Sequence, residues 1–245
     1  MEFVEERFSN FYENWLSRLQ RIFFELLQVT RTRNMEVAND SRLLALVSIF
    51  TSHLSEFYFV KLDEAYINSL VFICPTWLTN FERSQLWISG FKPTTMVFRL
   101  LDSMRAPQAF TLGLSMPPFI LTLEQQVKIE ELRRRNLMDE ENVDIEIDRI
   151  LKSIDDRKIV DLVKISQHLS NNNINGVLAE RLEELVEFEV IGTMSEFASA
   201  IVDADCVRLR SVNEVLNVLS PMQCVQFLAK FIHLVFLNAN GSANY

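Results

Sequence analysis

The chain has 245 residues, of which 49% are hydrophobic and 23% are charged. This balance is typical of a globular protein and excludes a disordered one. Five glycines and six prolines are too few for an all-β sandwich, which needs a turn signal about every ten residues. The formal net charge of −9 disfavours non-specific binding to nucleic acid or to an anionic membrane.

The three cysteines, Cys74, Cys206 and Cys224, are far apart in the sequence and contain no C-x-x-C pair. Free, buried thiols in a reducing compartment are therefore expected. The N-terminal sequence MEFVEERFSNF carries acids where a secretion signal carries lysines. The most apolar tract, Met222–Leu237, is short for a membrane span and is expected to be a core helix. These features predict a protein of the nucleus or cytoplasm that does not associate with membranes.

Two long helices are predicted at the start of the chain. From residue 5 to residue 32, apolar side chains recur at three- and four-residue steps, the pattern of an amphipathic helix. Its apolar residues are Phe8, Phe11, Trp15, Leu19, Ile22, Phe23, Leu26 and Leu27. A second helix is expected to begin at Asp40 or Ser41, both good N-cap residues, and to continue towards Phe72.

The segment Phe72–Phe98, called the corner below, contains strong signals that end and begin helices. Pro75 has no N–H and biases the preceding residue away from helix, so the helix that arrives there should stop. Thr79 and Glu82 have the spacing of a capping box, in which each side chain accepts a hydrogen bond from the other residue's backbone N–H. A short helix is therefore predicted to begin near Asn80.

This short helix is predicted to end near Ser89, because Gly90 can adopt the left-handed conformation that closes many helices. Pro93 then suits the first turn of a further helix. Two large aromatic residues, Trp77 and Trp87, are expected to anchor the corner in the core.

After the corner, three prolines predict an irregular segment over residues 105–119. Thr122 and Gln125 form another capping-box pattern, and the helix that begins there should end at the basic run that closes with Arg135. The acid-rich sequence that follows is expected to be helical in part. Within it, we expect residues 138–144 to be mobile or to face a partner.

Further helices are predicted over residues 158–169 and 177–210 from their apolar periodicity. Ser220 and Gln223 form a third capping box, and the last helix should run from there to residue 236. No long alternation of apolar and polar residues, which would indicate a strand, is present.

The fold is therefore predicted to be all-α. We expect a single domain over residues 5–238, a helical bundle with long antiparallel helices and a Trp-rich helical corner. Residues 239–245, with the sequence ANGSANY, are expected to form a disordered tail.

The sequence contains no catalytic or metal-binding motif: no H-E-x-x-H, P-loop, nucleophile elbow or dinucleotide-binding glycine pattern is present. His53 has apolar residues one turn away on either side and is expected to be a core histidine. His168 and His233 are the weak candidates for haem ligation, since a buried imidazole can bind haem iron. We predict a non-enzymatic protein with no metal site and no resident cofactor, with haem as the alternative.

The N-terminal helix carries the side chains expected of a partner-binding surface, namely Phe11, Tyr12, Trp15 and Leu16. Large aromatic side chains dominate the binding energy of protein interfaces. An exposed Tyr12 or Trp15 would therefore be a docking residue, and the acidic middle of the chain is a second place where a partner could bind.

Five segments, taken in chain order, resemble one plant family. FSNFYENWLSRLQ resembles the opening of its domain, and SHLSEFYFVK places His53 and Lys61 at matching positions, with Leu54 in place of the usual aromatic residue. PTWLTNFERSQLWISGFKP resembles its signature. ILTLEQQVKIEELR and ADCVRLRSVNEVLNVLSPMQCVQFL are similar to its middle helix and its close. The signature positions in this chain are Pro75, Trp77, Glu82, Arg83, Trp87, Gly90 and Pro93.

The family is the plant Delay of Germination domain, which is shared with the C-terminal half of TGA-type bZIP transcription factors. No basic region or leucine zipper precedes the domain here, so the resemblance implies a stand-alone regulatory protein that does not bind DNA directly. It implies action through protein contacts in seed dormancy and abscisic-acid signalling, with type 2C phosphatases as partners.

Three alternatives stay open beside this reading. They are a transcriptional co-regulator that associates with TGA factors, a haem- or lipid-sensing bundle, and a homo-oligomer. The family's haem binding is attributed to a histidine pair on a C-terminal helix. In this chain Ala229 and Leu237 lie one turn on either side of His233, so that pair is absent.

Overall fold

The computed structural model describes residues 2–31, 40–105, 119–156, 159–171 and 176–239, and over these ranges the protein is all-α, as predicted. The helices are α1 (Glu2–Arg31), α2 (Asp40–Ile67), α3 (Ser69–Ile73), α4 (Asn80–Ser84), α5 (Arg99–Arg105), α6 (Leu123–Asp156), α7 (Ile159–Asn171), α8 (Gly176–Val218) and α9 (Pro221–Ala239). A π-helical turn, Thr94–Phe98, leads directly into α5. The predicted tail beyond Ala239 and nearly all of the predicted irregular segment 105–119 lie outside the described residues.

Helices α1 and α2 run antiparallel and pack face to face. Arg7, near the start of α1, pairs with Glu64, near the end of α2. Further along, the Trp15 indole N–H donates a 3.0 Å hydrogen bond to the His53 carbonyl oxygen. The Trp15 and His53 rings stack with their centroids 4.9 Å apart, and burial lowers the pKa of His53. His53 is therefore a core histidine, as its apolar neighbours in the sequence predict.

Helices α6 and α8 form a second long antiparallel pair. The Gln125 amide, at the start of α6, donates to the Val218 carbonyl oxygen at the end of α8 over 2.9 Å. Near the other end, Arg149 of α6 lies 3.8 Å from the Glu196 carboxylate of α8. Helix α7, which precedes α8 in the chain, packs against it.

The main hydrophobic core lies where α1, α2, the turn into α5, the end of α8 and α9 meet. Helix α9 is its centre, because the continuous run Cys224–Ile232 is buried. Burial of apolar side chains on several helices at once is the principal source of stability for such a bundle.

Two helices, α2 and α9, are long and apolar enough to cross a membrane by length and composition. The prediction that the C-terminal tract is short for a span is wrong on length, since α9 has 19 residues. In this fold both are core helices: α9 buries its central run, and α2 carries Lys61 and Glu64, which pair with charged residues of other helices.

All three predicted capping boxes are present. At α4, the Glu82 N–H donates to the Thr79 hydroxyl over 3.2 Å and the Thr79 N–H donates to the Glu82 carboxylate over 2.8 Å. The boxes at Thr122 and Ser220 have the same reciprocal bonds with Gln125 and Gln223. Each box satisfies backbone N–H groups that the helix itself cannot pair.

The short helix of the corner does not reach Ser89, so that prediction is wrong. Helix α4 ends at Ser84, and the chain then makes a tight turn in which the Trp87 N–H donates to the Gly90 carbonyl oxygen over 2.7 Å. The positive φ angles fall on Ile88 (43°) and Ser89 (61°) rather than on Gly90. The conformation of this turn is set by hydrogen bonds from Arg208 of α8 to the carbonyl oxygens of Trp87 and Ile88.

The end predicted for the next long helix is also wrong, because α6 continues past Arg135 to Asp156. Residues 138–144 are helical and pack against the corner. The Glu140 carboxylate accepts the Thr94 N–H over 2.7 Å and the Thr94 hydroxyl over 2.6 Å. Asp144 accepts a 2.6 Å hydrogen bond from the Trp87 indole. Residues 138–144, expected to be mobile or to face a partner, therefore contribute two acids that hold the corner.

Two smaller differences concern α8 and the cysteines. Helix α8 continues to Val218 rather than ending at residue 210. The three cysteines are free, as predicted, but only Cys224 is buried, while Cys74 and Cys206 are exposed. Burial raises the pKa of the Cys224 thiol to about 12.

Replacing Glu140 should destabilise the protein, because in Glu140→Ala the Thr94 N–H loses the carboxylate of α6 that accepts its hydrogen bond. An unsatisfied buried donor of this kind costs about 1–3 kcal/mol. The neighbouring Glu141 is exposed, so Glu141→Ala should change the free energy of unfolding by less than about 0.5 kcal/mol. Urea denaturation of both variants measures the difference, and equal effects would contradict the role given to Glu140.

Candidate functional site

A single buried guanidinium, that of Arg208 on α8, organises the corner. Its side chain is 0% exposed. Its Nε donates to the Phe91 carbonyl oxygen over 2.7 Å, and its Nη2 donates to the carbonyl oxygens of Ile88, at 2.8 Å, and Trp87. Its Nη1 pairs with the Asp205 carboxylate one turn earlier on α8. An arginine presents several donors in a fixed planar fork, so one side chain can fix several carbonyl groups.

Lys61 of α2 joins the same network. Its ammonium lies 2.8 Å from one Asp205 carboxylate oxygen and donates over 3.1 Å to the Ser89 carbonyl oxygen. Burial lowers the pKa of Lys61 to about 8. The neighbouring Asp205 carboxylate favours the charged form and so opposes part of this effect. The network therefore ties α2, α8 and the corner together through hydrogen bonds to the corner's backbone.

Gly90 is required in the corner for its lack of a side chain. A Cβ atom on Gly90 would lie 2.8 Å from the Arg208 guanidinium carbon, closer than real Cβ contacts. The Trp87 ring also lies close to this guanidinium, with 5.0 Å between the Arg208 carbon and the ring centroid. Lys92 lies 5.3 Å from the same ring. The guanidinium therefore packs closely against Gly90 and lies within cation–π distance of Trp87.

Beside this network lies a surface cavity of about 160 Å³ between α1, α2, α9 and the corner. Its walls are mainly aromatic, and the rings that line it are Phe8, Tyr12, Trp15, Phe57, Tyr58, Phe72, Trp77, Phe91 and Phe231. The Tyr12 hydroxyl donates a 3.2 Å hydrogen bond to the Glu82 carboxylate across the cavity wall. Burial and the nearby Glu82 carboxylate raise the pKa of Tyr12.

The cavity has the character of a binding pocket. Its ionisable lining groups include Lys61, which is held by Asp205, and Tyr58, whose pKa is raised by burial. Apolar walls with a few polar groups are what ligand and partner pockets share.

Seven of the fifteen predicted site residues line this cavity. Its lining includes Tyr12 and Trp15 from the predicted partner-binding set, and Lys61, Pro75, Trp77, Glu82 and Gly90 from the signature set. Trp15 is only 5% exposed, so the condition that it should be an exposed docking residue is not met. Its ring is held by His53 and Phe57 in the core.

Phe11 and Leu16 lie on α1 but do not line the cavity; both are half-buried and pack against the main core. Among the remaining signature residues, Trp87 covers Arg208, Arg83 pairs with Asn80, and Pro93 begins the π-helical turn, as predicted for a helix start. These residues build the corner rather than the cavity.

The two haem candidates, His168 and His233, are absent from the lining of this cavity. His168 lies on α7, whereas the His233 ring of α9 stacks on Phe23 with 6.0 Å between centroids. Burial lowers the pKa of His233. Within the described part of the chain, no cluster of metal-binding side chains occurs. The aromatic cavity therefore contains neither of the predicted haem ligands.

The sequence reasoning missed Asp205 and Arg208 as site residues. Both belong to the segment ADCVR, which resembles the family's closing motif, and they lie three positions apart on one face of α8. A carboxylate and an arginine at this spacing in an otherwise apolar helix face were the available signal. The carbonyl groups that Arg208 contacts, 117 to 121 residues earlier in the chain, could not be inferred from spacing.

Gly90→Ala should destabilise the protein by about 1–3 kcal/mol, because the added methyl group displaces the Arg208 guanidinium. Gly192 provides the matched control, since a Cβ there meets nothing within 4 Å in the middle of α8. Gly192→Ala should stabilise the protein by about 0.5–1 kcal/mol through helix propensity. Thermal and urea unfolding of both variants test this opposite sign, and a neutral Gly90→Ala would contradict the packing described.

The lowered pKa of Lys61 predicts a pH dependence of stability. Between pH about 8 and 10.5 the folded protein has released the Lys61 proton while the unfolded chain still binds it, so this group makes stability rise with pH. From about pH 7.5 to 9.5, wild type should gain about 1–2 kcal/mol relative to Lys61→Met. Lys128→Met, an exposed lysine, should follow wild type. Parallel wild-type and Lys61→Met curves would contradict the assignment.

Comparison with known proteins bears on this architecture. A family model described as "DOG1: Seed dormancy control" matches residues 25–103, which include α2 and the corner. The Arabidopsis thaliana protein DOG1-like 4 is 31% identical over 227 residues, which cover 92% of this chain and 88% of that protein.

Two further Arabidopsis thaliana proteins are similar over nearly the whole chain. RESPONSE TO ABA AND SALT 1 is 26% identical and covers 91% of this chain and 89% of its own length. Transcription factor TGA7 is 22% identical over 91% of this chain, but the match spans only 52% of TGA7. These relatives are regulatory proteins and support a regulatory role in plants. The chain belongs to the DOG1 family of seed dormancy control.

Proposed function

We propose that this protein regulates seed dormancy or abscisic-acid responses by binding other proteins, without catalysing a reaction itself. The observation that carries this proposal is the aromatic cavity between α1 and the corner. A cavity with aromatic walls can take an apolar side chain from a partner, and such central pockets supply most of the binding energy in protein interfaces.

Type 2C phosphatases are the partner that the family resemblance favours. One relative carries a response to abscisic acid and salt in its name, which supports a role in the same signalling context. In this proposal a phosphatase inserts an apolar side chain beside Tyr12 and Trp77, and Phe11 and Leu16 extend the contact along α1. The buried Trp15 ring stacks on the Tyr12 ring and holds it in position.

A transcriptional co-regulator is the second candidate, favoured by the similarity to TGA7 over nearly the whole chain. In this version the same cavity binds a TGA-type factor, and the protein acts in the nucleus. The net charge of −9 is consistent with a partner that supplies the contact to DNA, since direct association with a phosphate backbone needs a basic surface.

Tyr12→Ala tests the role of the cavity. The variant removes a half-buried ring from the cavity wall and leaves the buried Trp15 in place, so folding should be retained. We expect the affinity for a type 2C phosphatase or a TGA factor to fall by at least about tenfold, the loss typical of a hot-spot residue. Calorimetry with purified partners, checked by circular dichroism of each variant, gives the measurement.

Phe24→Ala is the matched control, because Phe24 is an aromatic residue of the same helix that is 55% exposed and does not line the cavity. Its affinity should equal that of wild type. If Tyr12→Ala and Phe24→Ala bind alike, the cavity is not the docking site. If neither class of partner binds the wild-type protein, the proposed function is wrong.

A further inference from the structure

We propose that α7 and the first half of α8 form a second docking surface, which binds a basic amphipathic helix of a partner protein. We call the pair formed by α7 and residues 176–192 of α8 the arm. The inference rests on the proposed function, in that it assigns a second surface to a protein that acts through protein contacts.

The arm leaves its apolar side chains unburied. Side chains are described for residues 160–168 and 180–192, and none of the apolar ones among them is buried. Phe188 is 73% exposed, Ile191 58% and Leu185 57%, all at three-residue steps on α8. Residues three apart lie on one face of a helix, so these three side chains form one apolar stripe.

The rest of α8 shows what a covered helix looks like in this protein. From Phe197 onward, the helix buries residues such as Ala200, Ile201 and Ala204 against α6 and α2. The arm also carries apolar side chains, but none of those described there is buried. Apolar side chains that cluster on one helix face without a partner mark a protein interaction site.

The charges beside the stripe identify the partner. Between residues 180 and 189, α8 carries five glutamates and one arginine. Glu184 lies one turn before Phe188, on the same face. An apolar stripe bordered by acids is complementary to a helix whose own apolar stripe is bordered by Lys and Arg, which lays its apolar face along the groove.

A second copy of this chain fits the surface less well. In a symmetric dimer the same patch meets itself, so the arm's glutamates would face one another. Like charges placed opposite each other at an interface disfavour association. An anionic membrane is disfavoured for the same reason, and a basic helix is the occupant that both the apolar and the charged groups match.

The probe for the test is a synthetic amphipathic helix of Leu and Lys, about 18 residues long. At about 1.5 Å per residue, α8 extends over roughly 18 Å from residue 180 to residue 191, so the peptide is longer than the surface that it must cover. Fluorescence anisotropy with the full-length chain measures binding. We expect binding that weakens with salt, and no binding of the corresponding Leu and Glu peptide.

Phe188→Ser should weaken peptide binding by at least about tenfold. Phe59→Ser is the matched control, since Phe59 on α2 is 69% exposed but lies outside the arm, and its affinity should stay at the wild-type value. Equal losses in both variants, or no loss in Phe188→Ser, would overturn the proposal.

The charge requirement is tested by the triple variant Glu183→Gln, Glu184→Gln, Glu187→Gln, which should bind the Leu and Lys peptide several-fold more weakly and with a smaller salt dependence. Replacing three exposed glutamates elsewhere, Glu6, Glu13 and Glu131, by Gln changes net charge equally and should leave affinity unchanged. Equal weakening by both triple variants would show attraction by net charge alone and would contradict a site on the arm.

Two further results separate this inference from the proposed function. Light scattering that shows a dimer abolished by Phe188→Ser would assign the surface to a second copy instead and overturn the proposal. A protein that binds its phosphatase or TGA partner through Tyr12 but fails every peptide test on the arm would retain the proposed function and lose only this second surface.

Discussion

The buried Arg208 guanidinium, with the Asp205 carboxylate and the Lys61 ammonium beside it, is the interaction on which the corner depends. Two cations share one buried carboxylate, and their remaining donors are satisfied by the carbonyl groups of a turn that lacks regular secondary structure. The arrangement is mutually dependent. Buried charges need polar partners, and carbonyl groups that an irregular turn withdraws from water need donors. The turn and the charges therefore stabilise each other, and Gly90 provides the space in which they meet.

Through the corner, the same network shapes the cavity. The corner supplies Pro75, Trp77 and Phe91 to its walls, while α1 contributes Tyr12 from the opposite side. Of the charged side chains that line the cavity, Lys61 is ion-paired with Asp205 and Glu82 accepts hydrogen bonds from Tyr12 and Thr79. The rest of the lining is mainly aromatic and suited to binding. The arm has the opposite character, since its long helices carry apolar side chains that the fold itself does not cover. A rigid aromatic pocket and an acidic, apolar arm give a regulatory protein two distinct surfaces.

Local signals made much of the fold predictable. Three capping boxes, the break at Pro75 and the periodicity of α1 and α2 gave correct helix starts and the all-α class. Predictions failed where a contact from far along the chain decides the outcome. Ser89 takes a positive φ because Lys61 and Arg208 donate hydrogen bonds to the carbonyl oxygens of Ser89 and Ile88. Helix α6 continues through Glu140 because Thr94 donates a hydrogen bond to the Glu140 carboxylate in place of water. Trp15 was a docking candidate by its chemistry, but its stacking on His53 could not be read from spacing. The signature residues share a recognisable sequence pattern, whereas the link from Arg208 to Trp87 and Gly90 depends on a helix far along the chain.

Hydrogen–deuterium exchange at the backbone of the corner tests the central role of Arg208 most directly. The measurement compares residues 86–92 in wild type, in Arg208→Lys and in Arg210→Lys, which changes an exposed arginine two positions away. Lysine keeps the charge but cannot reach three carbonyl oxygens at once. The network described here predicts that Arg208→Lys loses protection in the corner while α1 and α6 stay protected, and that Arg210→Lys matches wild type. Unchanged protection of the corner in Arg208→Lys would contradict it.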